Sequence, residues 1–380
     1  MNATNSALSF RIVTKDRGTQ ARLGVLMGRF GAVATPAFMP VGTHGAVRAV
    51  LAEDLEKLGF GMILANALHV YLRPGVELVE RFDGLKRFMG YRGGILTDSG
   101  GYQVFSLSPF VKVFDDGVLF RSPLDGAMHR LSPKDVVAIQ ERIGSDIHMP
   151  LDQPVGYPAS ESQTKAALGR TLDWLKASLE AKNPERGALF GIVQGGVFPE
   201  LRVRASLEVS ELSVAGFALG GFSLGEPKNL MWELVSRTVE SLDPVRPRYL
   251  MGVGTPADLL EGVRLGVDMF DCILPTRLAR HGQLYTSNGS VRLKNALSRG
   301  KEEPIDPLCD CYACKTFSLG YLAHLYRIGD PSVFRLNTLH NLRYYGKLLE
   351  EARRAIGSGR YGQWVTAKLS RLSFEREGNG

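Results

Sequence analysis

The sequence predicts an α/β fold, a (β/α)8 TIM barrel with an inserted zinc-binding subdomain, and three observations carry that expectation. Eight short apolar runs, each ending in or enclosing a polar residue or glycine, recur along the chain. Most segments between them have helical period and helix-start signals. The 380 residues, about two and a half times the ordinary domain, contain no internal repeat, low-complexity tract or Pro/Ser-rich linker that would divide them.

Taken in order, the runs are AFMPVG to Gly42, MILAN to Asn66, GILTDS around Asp98, IHMPLD to Asp152, LFGIVQ to Gln194, GFALGG to Gly221, YLMGVG to Gly252 and MFDCILP around Asp271. Runs this short suit strands buried on both faces, where alternation gives way to continuous apolarity. Ser132 followed by Pro133, and Thr255 followed by Pro256, open intervening helices: a hydroxyl cap followed by a proline whose missing N–H costs nothing in the first turn. Eight such βα units close into a barrel whose active site forms at the C-terminal strand ends, which is where the polar residues fall. An open doubly wound sheet is the competing architecture, but no GxGxxG follows the first run and the count of eight suits closure. Residues 1–380 are therefore read as one barrel domain. After Pro275 a basic stretch leads into CDCYAC, and residues 278–345 are read as the inserted subdomain.

At 44% hydrophobic and 22% charged, the composition excludes a disordered, collagenous or coiled-coil chain. No stretch approaches 18 consecutive apolar residues and the N-terminus lacks the basic-then-apolar order of a signal peptide, so a cytoplasmic protein without a membrane partner is expected. Lys and Arg exceed Asp and Glu by 46 to 39, a net +7 that favours a polyanionic partner. Of the four cysteines, Cys272 sits in an apolar run and reads as a small hydrophobe, whereas Cys309, Cys311 and Cys314 fall within six residues. Three thiolates that close reach one ion if the loop curls around it. His340, in a segment of helical period, is the preferred fourth ligand and His324 the other candidate. Three sulfurs and one imidazole fill a tetrahedral zinc, making the site structural; buried or redox cysteines without metal are the alternative.

Asp98, Asp152 and Asp271 sit at strand ends on this reading, with Gln194 and Glu226 near two more. Neighbouring carboxylates have their pKa values driven apart, which supplies a nucleophile or base beside a proton carrier, as glycosyl transfer requires. For any one of them, helix capping or a rim hydrogen bond is the plainer role. The pairs Gly100-Gly101 and Gly220-Gly221 permit close backbone approach to a flat ligand, although tight turns alone would require the same residues.

Through TDSGGYQVFSL, GIVQGG, LGGFSLGE, MGVGTP, DMFDCILPTR and CDCYAC, in that order, the chain resembles a bacterial-type tRNA-guanine transglycosylase of the queuine tRNA-ribosyltransferase family. The resemblance implies a (β/α)8 barrel with a zinc subdomain, and exchange of guanine at the tRNA wobble position for a 7-deazaguanine in queuosine biosynthesis. It implies that Asp271 is the nucleophile on the ribose C1′, forming a covalent intermediate, and that Asp98 handles protons. Asp152, Gln194 and the Gly221 backbone would bind the purine edge, with Ser99 and Phe222 beside them. Tyr102 and Met251 would sandwich the base, and Glu226 would steady the LGGFSLGE peptide, whose amide turns to suit different bases. Cys309, Cys311, Cys314 and His340 would hold one structural zinc per chain. Arg48, Arg277 and Arg280 would contact tRNA phosphates, and a homodimer is implied.

The chain departs from the family's usual DEC at Asp152-Gln153-Pro154 and from its NTYH at Asn66-Ala67-Leu68-His69. The first departure bears on which base enters. Leu224 is bulky, as in enzymes taking 7-aminomethyl-7-deazaguanine, whereas relatives accepting queuine carry glycine there, so the smaller base is expected; Pro154 weighs weakly the other way by fixing φ. Two other readings compete. A zinc-containing RNA-binding subunit without chemistry is opposed by the intact Asp98 and Asp271. A sugar-cleaving barrel would want Trp platforms, but Trp174, Trp232 and Trp364 all fall in helix-like segments.

Overall fold

The computed structural model describes residues 8–101, 104–105 and 110–377. Strands β1 (Leu8–Lys15), β2 (Arg22–Gly28) and β3 (Gly31–Thr35) form an antiparallel sheet. They are followed by β4 (Ala37–Gly42), β5 (Met62–Asn66) and β6 (Gly94–Asp98), and then by a second antiparallel sheet of β7 (Val111–Phe114), β8 (Gly117–Arg121) and β9 (Met128–Leu131). The series continues with β10 (Ile147–His148), β11 (Ala188–Val193), β12 (Gly216–Leu219), β13 (Arg248–Leu250) and β14 (Met269–Cys272), and ends in a hairpin of β15 (Gln283–Thr286) and β16 (Gly289–Arg292).

Strands β10-β11-β12-β13-β14-β4-β5-β6 close into a barrel with parallel pairing throughout. These are the eight apolar runs of the sequence, so the predicted (β/α)8 class is what the chain adopts. Continuous apolarity has the expected cause: every residue of β4, β5, β6 and β11 is buried, with the barrel interior on one side and helices on the other. Interior side chains such as Met39, Leu64, Leu96, Phe190 and Met269 form one cluster, which also takes in Leu26 and Val33 from the N-terminal sheet. That sheet plugs the barrel at the N-terminal strand ends and leaves the opposite mouth for a site. Its alternating burial, seen along β1, is the period-two pattern of a sheet with one covered face.

The helix starts follow the sequence signals. Ser132 Oγ accepts from Asp135 N–H at the head of the helix Pro133–Arg142, and Thr255 does the same for Asp258 at Pro256–Arg264, each with a reciprocal carboxylate. Trp174, Trp232 and Trp364 all lie within helices, as their surroundings predicted. Beyond the barrel, Leu284, Leu293, Ile305, Ala313, Leu322 and Val333 build a separate small apolar cluster around β15 and β16. The 26-residue helix Ser332–Gly357 ties that cluster to the barrel: Tyr345 OH donates to Gly254 O and Arg353 to Pro36 O, and Arg335 pairs with Asp54. Among the described residues, no helix is long and apolar enough to cross a membrane.

One ion pair fastens the plug. Arg22 on β2 reaches Asp268 just before β14 through two hydrogen bonds of 2.9 and 2.5 Å, with both side chains buried, and Asp268 also accepts from Arg248 N–H at 2.7 Å. Removing one partner leaves the other charge buried without compensation, which costs about 3–5 kcal/mol. Asp268→Ala should therefore lower unfolding stability by about that amount. Urea denaturation at neutral pH checks it, and a loss below about 1 kcal/mol would show that the plug is fastened otherwise.

Candidate active site and metal centre

The barrel brings Asp98, at the end of β6, and Asp271, in β14, to the same mouth, where the charges of both act on the buried Tyr249 hydroxyl. In-register pairing of β5 with β6 sets Asn66 opposite Asp98. The Asn66 side-chain amide donates to one Asp98 oxygen and the Ala67 backbone N–H to the other at 3.1 Å. Because the second contact comes from the backbone, alanine at position 67 leaves it intact. Asp271 is held asymmetrically. Its Oδ1 accepts from Tyr249 OH at 2.6 Å and from Gly252 N–H at 2.7 Å, while among the described residues Oδ2 has no hydrogen-bond partner. Burial pushes the Asp271 carboxyl above its ordinary range and those two donors pull against it. Burial, with Asp271 beside it, drives the Tyr249 hydroxyl well above the usual phenol range, so it remains a donor.

A second group forms beside the pair. Asp152 lies four residues beyond β10, which spans only Ile147–His148. Gln194 Nε2 donates to Asp152 Oδ2 at 2.7 Å and Ser99 Oγ to Oδ1 at 3.3 Å. Gln194 Oε1 lies against Gly221, whose φ of +72° favours glycine and where a Cβ would strike that oxygen. Gly101 is needed for space instead: its Cβ would stand 2.7 Å from Asp152 Oδ1. Phe222 is buried, and Met251 is half-buried against the barrel interior. Glu226 accepts from Ser223 N–H at 2.5 Å and Leu224 N–H at 2.9 Å, so the peptide before Ser223 turns its N–H to this carboxylate and the Phe222 carbonyl the other way. Gln153 leans outward: its N–H donates to Thr171 Oγ1 at 3.1 Å and its side-chain oxygen accepts from Arg170 at 2.5 Å. Tyr102 lies outside the described residues.

At the rim, Arg48 and Arg277 are exposed and Arg280 is half-buried. Burial lowers the Arg280 pKa and the charges of Arg48 and Arg277 lower it further, so the three cations crowd one another. Mutual repulsion of this kind is relieved by an anion.

In the inserted segment, the side-chain donors of Cys309, Cys311, Cys314 and His340 lie within 4.8 Å of one another. His340 Nε2–H donates to Tyr285 O at 2.6 Å, which leaves the Nδ1 lone pair facing Cys314 Sγ at 3.2 Å and Cys311 Sγ at 3.7 Å. Metal bonds of about 2.3 Å to sulfur and 2.0 Å to nitrogen at tetrahedral angles require S···N edges of about 3.5 Å, so the donor set fits zinc. His324, the other candidate, is exposed and stands outside the cluster.

A sequence profile described as queuine tRNA-ribosyltransferase matches residues 16–373. The chain belongs to the queuine tRNA-ribosyltransferase family. A queuine tRNA-ribosyltransferase of Dictyoglomus turgidum is 49% identical over 354 residues, covering 92% of this chain and 91% of that one. Those of a Thermoanaerobacter species and of Aquifex aeolicus are 44% and 46% identical over 373 residues, covering 98% and 96% of this chain and 100% and 98% of theirs. The resemblance carried by the collinear motifs is thus a family relationship, and the barrel and the Cys3His cluster are of the kind that it implies.

Reading the sequence missed Tyr249, which sits in an apolar strand as any aromatic would; its place two residues before Met251, at a strand end, was the one signal available. The buried carboxylates also leave a mark on stability. Burial raises Asp152 to about 6 from an ordinary 3.8. The folded chain therefore holds a proton that the unfolded chain has lost between about pH 4 and 6, and stability falls as pH rises through that window. Asp152→Asn should thus stabilise the protein by about 1–3 kcal/mol at pH 8, with the gain shrinking toward pH 5. Thermal melts across that range check it, and a pH-independent difference would contradict it.

Proposed function

We propose that the chain is a tRNA-guanine transglycosylase that exchanges guanine at the wobble position of tRNA for a 7-deazaguanine through a covalent Asp271–ribose intermediate, in queuosine biosynthesis. The asymmetric hold on Asp271 carries the reading: one oxygen is fixed by Tyr249 and Gly252 and the other has no partner among the described residues, with Asp98 at the same mouth. In this reaction Asp271 Oδ2 attacks the ribose C1′, the C1′–N9 bond breaks and the guanine departs with its electron pair, taking up a proton at Asp98's side. The N9 of the incoming base then attacks C1′, gives up its proton to Asp98 and frees the Asp271 carboxylate. No phosphodiester bond is broken.

Asp152 accepts from the N1–H and exocyclic amine of a guanine-like base, a pattern adenine does not offer, while Gln194 and Gly221 serve the remaining polar edge. Met251 and Tyr102 would flank the ring, and Ser99 and Phe222 would complete its surroundings. The crowded Arg48, Arg277 and Arg280 are assigned to tRNA phosphates. We treat 1–380 as one catalytic barrel and 278–345 as its zinc subdomain, with Cys309, Cys311, Cys314 and His340 holding one structural Zn2+. The family relationship supports a homodimer in the cytoplasm.

For the incoming base, 7-aminomethyl-7-deazaguanine fits better than queuine. Leu224 lines a recess with Val155, Tyr157, Val197 and Gly221, and its isobutyl group limits the room beside Gly221. The Phe222 carbonyl, turned from Glu226, is suited to accept from an ammonium group.

Incubating the protein with tRNA and labelled guanine tests the activity itself. Asp271→Asn should abolish both exchange and the covalent RNA adduct on denaturing gels, since a neutral amide is a poor nucleophile; a loss of only a few-fold would place the nucleophile elsewhere. Cys311→Ser should lower zinc content, by elemental analysis, together with the melting temperature, because binding energy at a closed metal site contributes to folding. Fully stable wild-type protein free of zinc would refute that role. In competition for tRNA, the aminomethyl base should outcompete queuine, and Leu224→Gly should narrow the difference. A higher kcat/KM for queuine in the wild type would reverse the assignment.

A further inference from the structure

The helix Pro199–Glu211 carries Arg202, a fully buried guanidinium that is hydrogen-bonded only to backbone carbonyls among the described residues. Its Nε donates to Gly196 O at 2.8 Å, its Nη1 to Gly220 O at 3.0 Å and Val193 O at 3.4 Å, and its Nη2 to Gly221 O at 3.4 Å. The guanidinium carbon lies 3.7 Å from the centre of the Phe222 ring. Two loops converge on this one group: the loop after β11, which follows Gln194, and the loop after β12, which carries Gly221 and Phe222.

Burying a charge without a paired carboxylate is costly, and the cost is offset only where several dipoles point their negative ends at it. Burial draws the group down to about 9, which still leaves it charged at neutral pH. Its through-space attraction is to Glu226. Glu226 in turn accepts from Ser223 N–H and Leu224 N–H. The segment 220–224 is thus suspended between opposite charges, with carbonyls of Gly220 and Gly221 drawn to Arg202 and amides of Ser223 and Leu224 drawn to Glu226. The Phe222 carbonyl, at the crossover between the two, is bonded to neither charge. The surrounding glycines match the same arrangement: a Cβ at Gly195 would stand 2.8 Å from Arg202 Cγ, and one at Gly221 would lie 3.4 Å from its Nη2.

We propose that Arg202 is a positioning residue for base selection, holding the Gly220–Phe222 backbone and the loop after Gln194 in register so that they meet the purine edge and the group on its C7. This rests on the base-binding role proposed for Gln194 and Gly221. Arginine suits the task because one planar fork serves carbonyls in two loops, whereas a lysine ammonium is a point donor on a flexible stem. Arg202 touches no reacting atom, so its loss acts on base affinity rather than on glycosidic bond cleavage.

The test compares Arg202→Lys, Arg202→Met and Phe222→Leu with the wild type in tRNA exchange, measuring KM for 7-aminomethyl-7-deazaguanine, KM for tRNA and kcat, and normalising to the fraction of enzyme that traps covalent RNA. Arg202→Met should raise the base KM at least tenfold, with tRNA KM and kcat within about threefold. Arg202→Lys, which retains the charge, should recover part of that loss. Arg202→Lys, the smaller disturbance of the core, covers the case in which Arg202→Met does not fold, while Phe222→Leu, which keeps every hydrogen bond of Arg202, reads out the contribution of the ring itself. A base KM within twofold of wild type in the folded variants overturns the proposal, as does a fall in kcat or in melting temperature alone. Gln194→Ala separates this failure from that of the underlying reading: an unchanged base KM in that variant would mean that the wall does not bind the base at all.

Discussion

Closing eight parallel strands into a ring leaves polar side chains few places to stand. The interior is filled by Met39, Leu64, Leu96, Phe190 and Met269, the outer face is covered by helices, and the N-terminal end is plugged by β1–β3. A carboxylate in this ring is tolerated where donors meet it: Asp268 at the plugged end is paired with Arg22, and at the open C-terminal mouth backbone amides leaving the strands and neighbouring side chains donate. Asp98 and Asp271 are met there by the N–H groups of Ala67 and Gly252, the first residue beyond β5 and the second beyond β13. Strand closure and the acid pair are therefore one construction.

The mouth is built from charges that would be unfavourable in isolation. Burial pushes Asp271 and Asp152 upward, and it lowers Arg202 and Arg280. A carboxylate poised this way is deprived of water and left with few donors, so a ligand that supplies N–H groups or an electrophilic carbon finds it available. Exposed carboxylates would bind neither as tightly, because water would already satisfy them. Neutralising one of these groups is consistent with a gain in stability and a loss of function, the trade expected where a site is held away from its own energetic optimum.

The metal cluster works on a different principle. Its ligands come from a short loop, Cys309 to Cys314, and from the middle of the helix Ser332–Gly357, so an ion there would fasten a small apolar cluster to the element that also grips the barrel through Tyr345 and Arg353. The His340–Tyr285 hydrogen bond extends the connection to β15. Among the described residues, the hydrogen bonds to the acid pair come from Asn66, Ala67, Tyr249 and Gly252 and none from this centre.

Much of this was legible in the sequence because the relevant signals are local. Strands buried on both faces are near-continuously apolar, a hydroxyl before proline at the head of a segment of helical period favours a helix start, and thiols within six residues share surroundings. The eight strands, the helix starts at Ser132 and Thr255 and the cysteine cluster with His340 follow from that. The N-terminal plug and the β7–β9 sheet did not, although each pairs consecutive strands, since alternation over four to eight residues is a weak mark. Tyr249 and Arg202 escaped for a sharper reason. A tyrosine in an apolar strand and an arginine in an amphipathic helix are what an ordinary core and an ordinary surface contain, and only the folded chain sets the first against Asp271 and buries the second under Gly220 and Gly221. Residue types and spacing by themselves determined which elements form and which chemistry is on hand. Which oxygen of Asp271 is held, and which loop a buried cation holds, depended on contacts between residues 22 and 18 positions apart, and such contacts exist only once the barrel has closed.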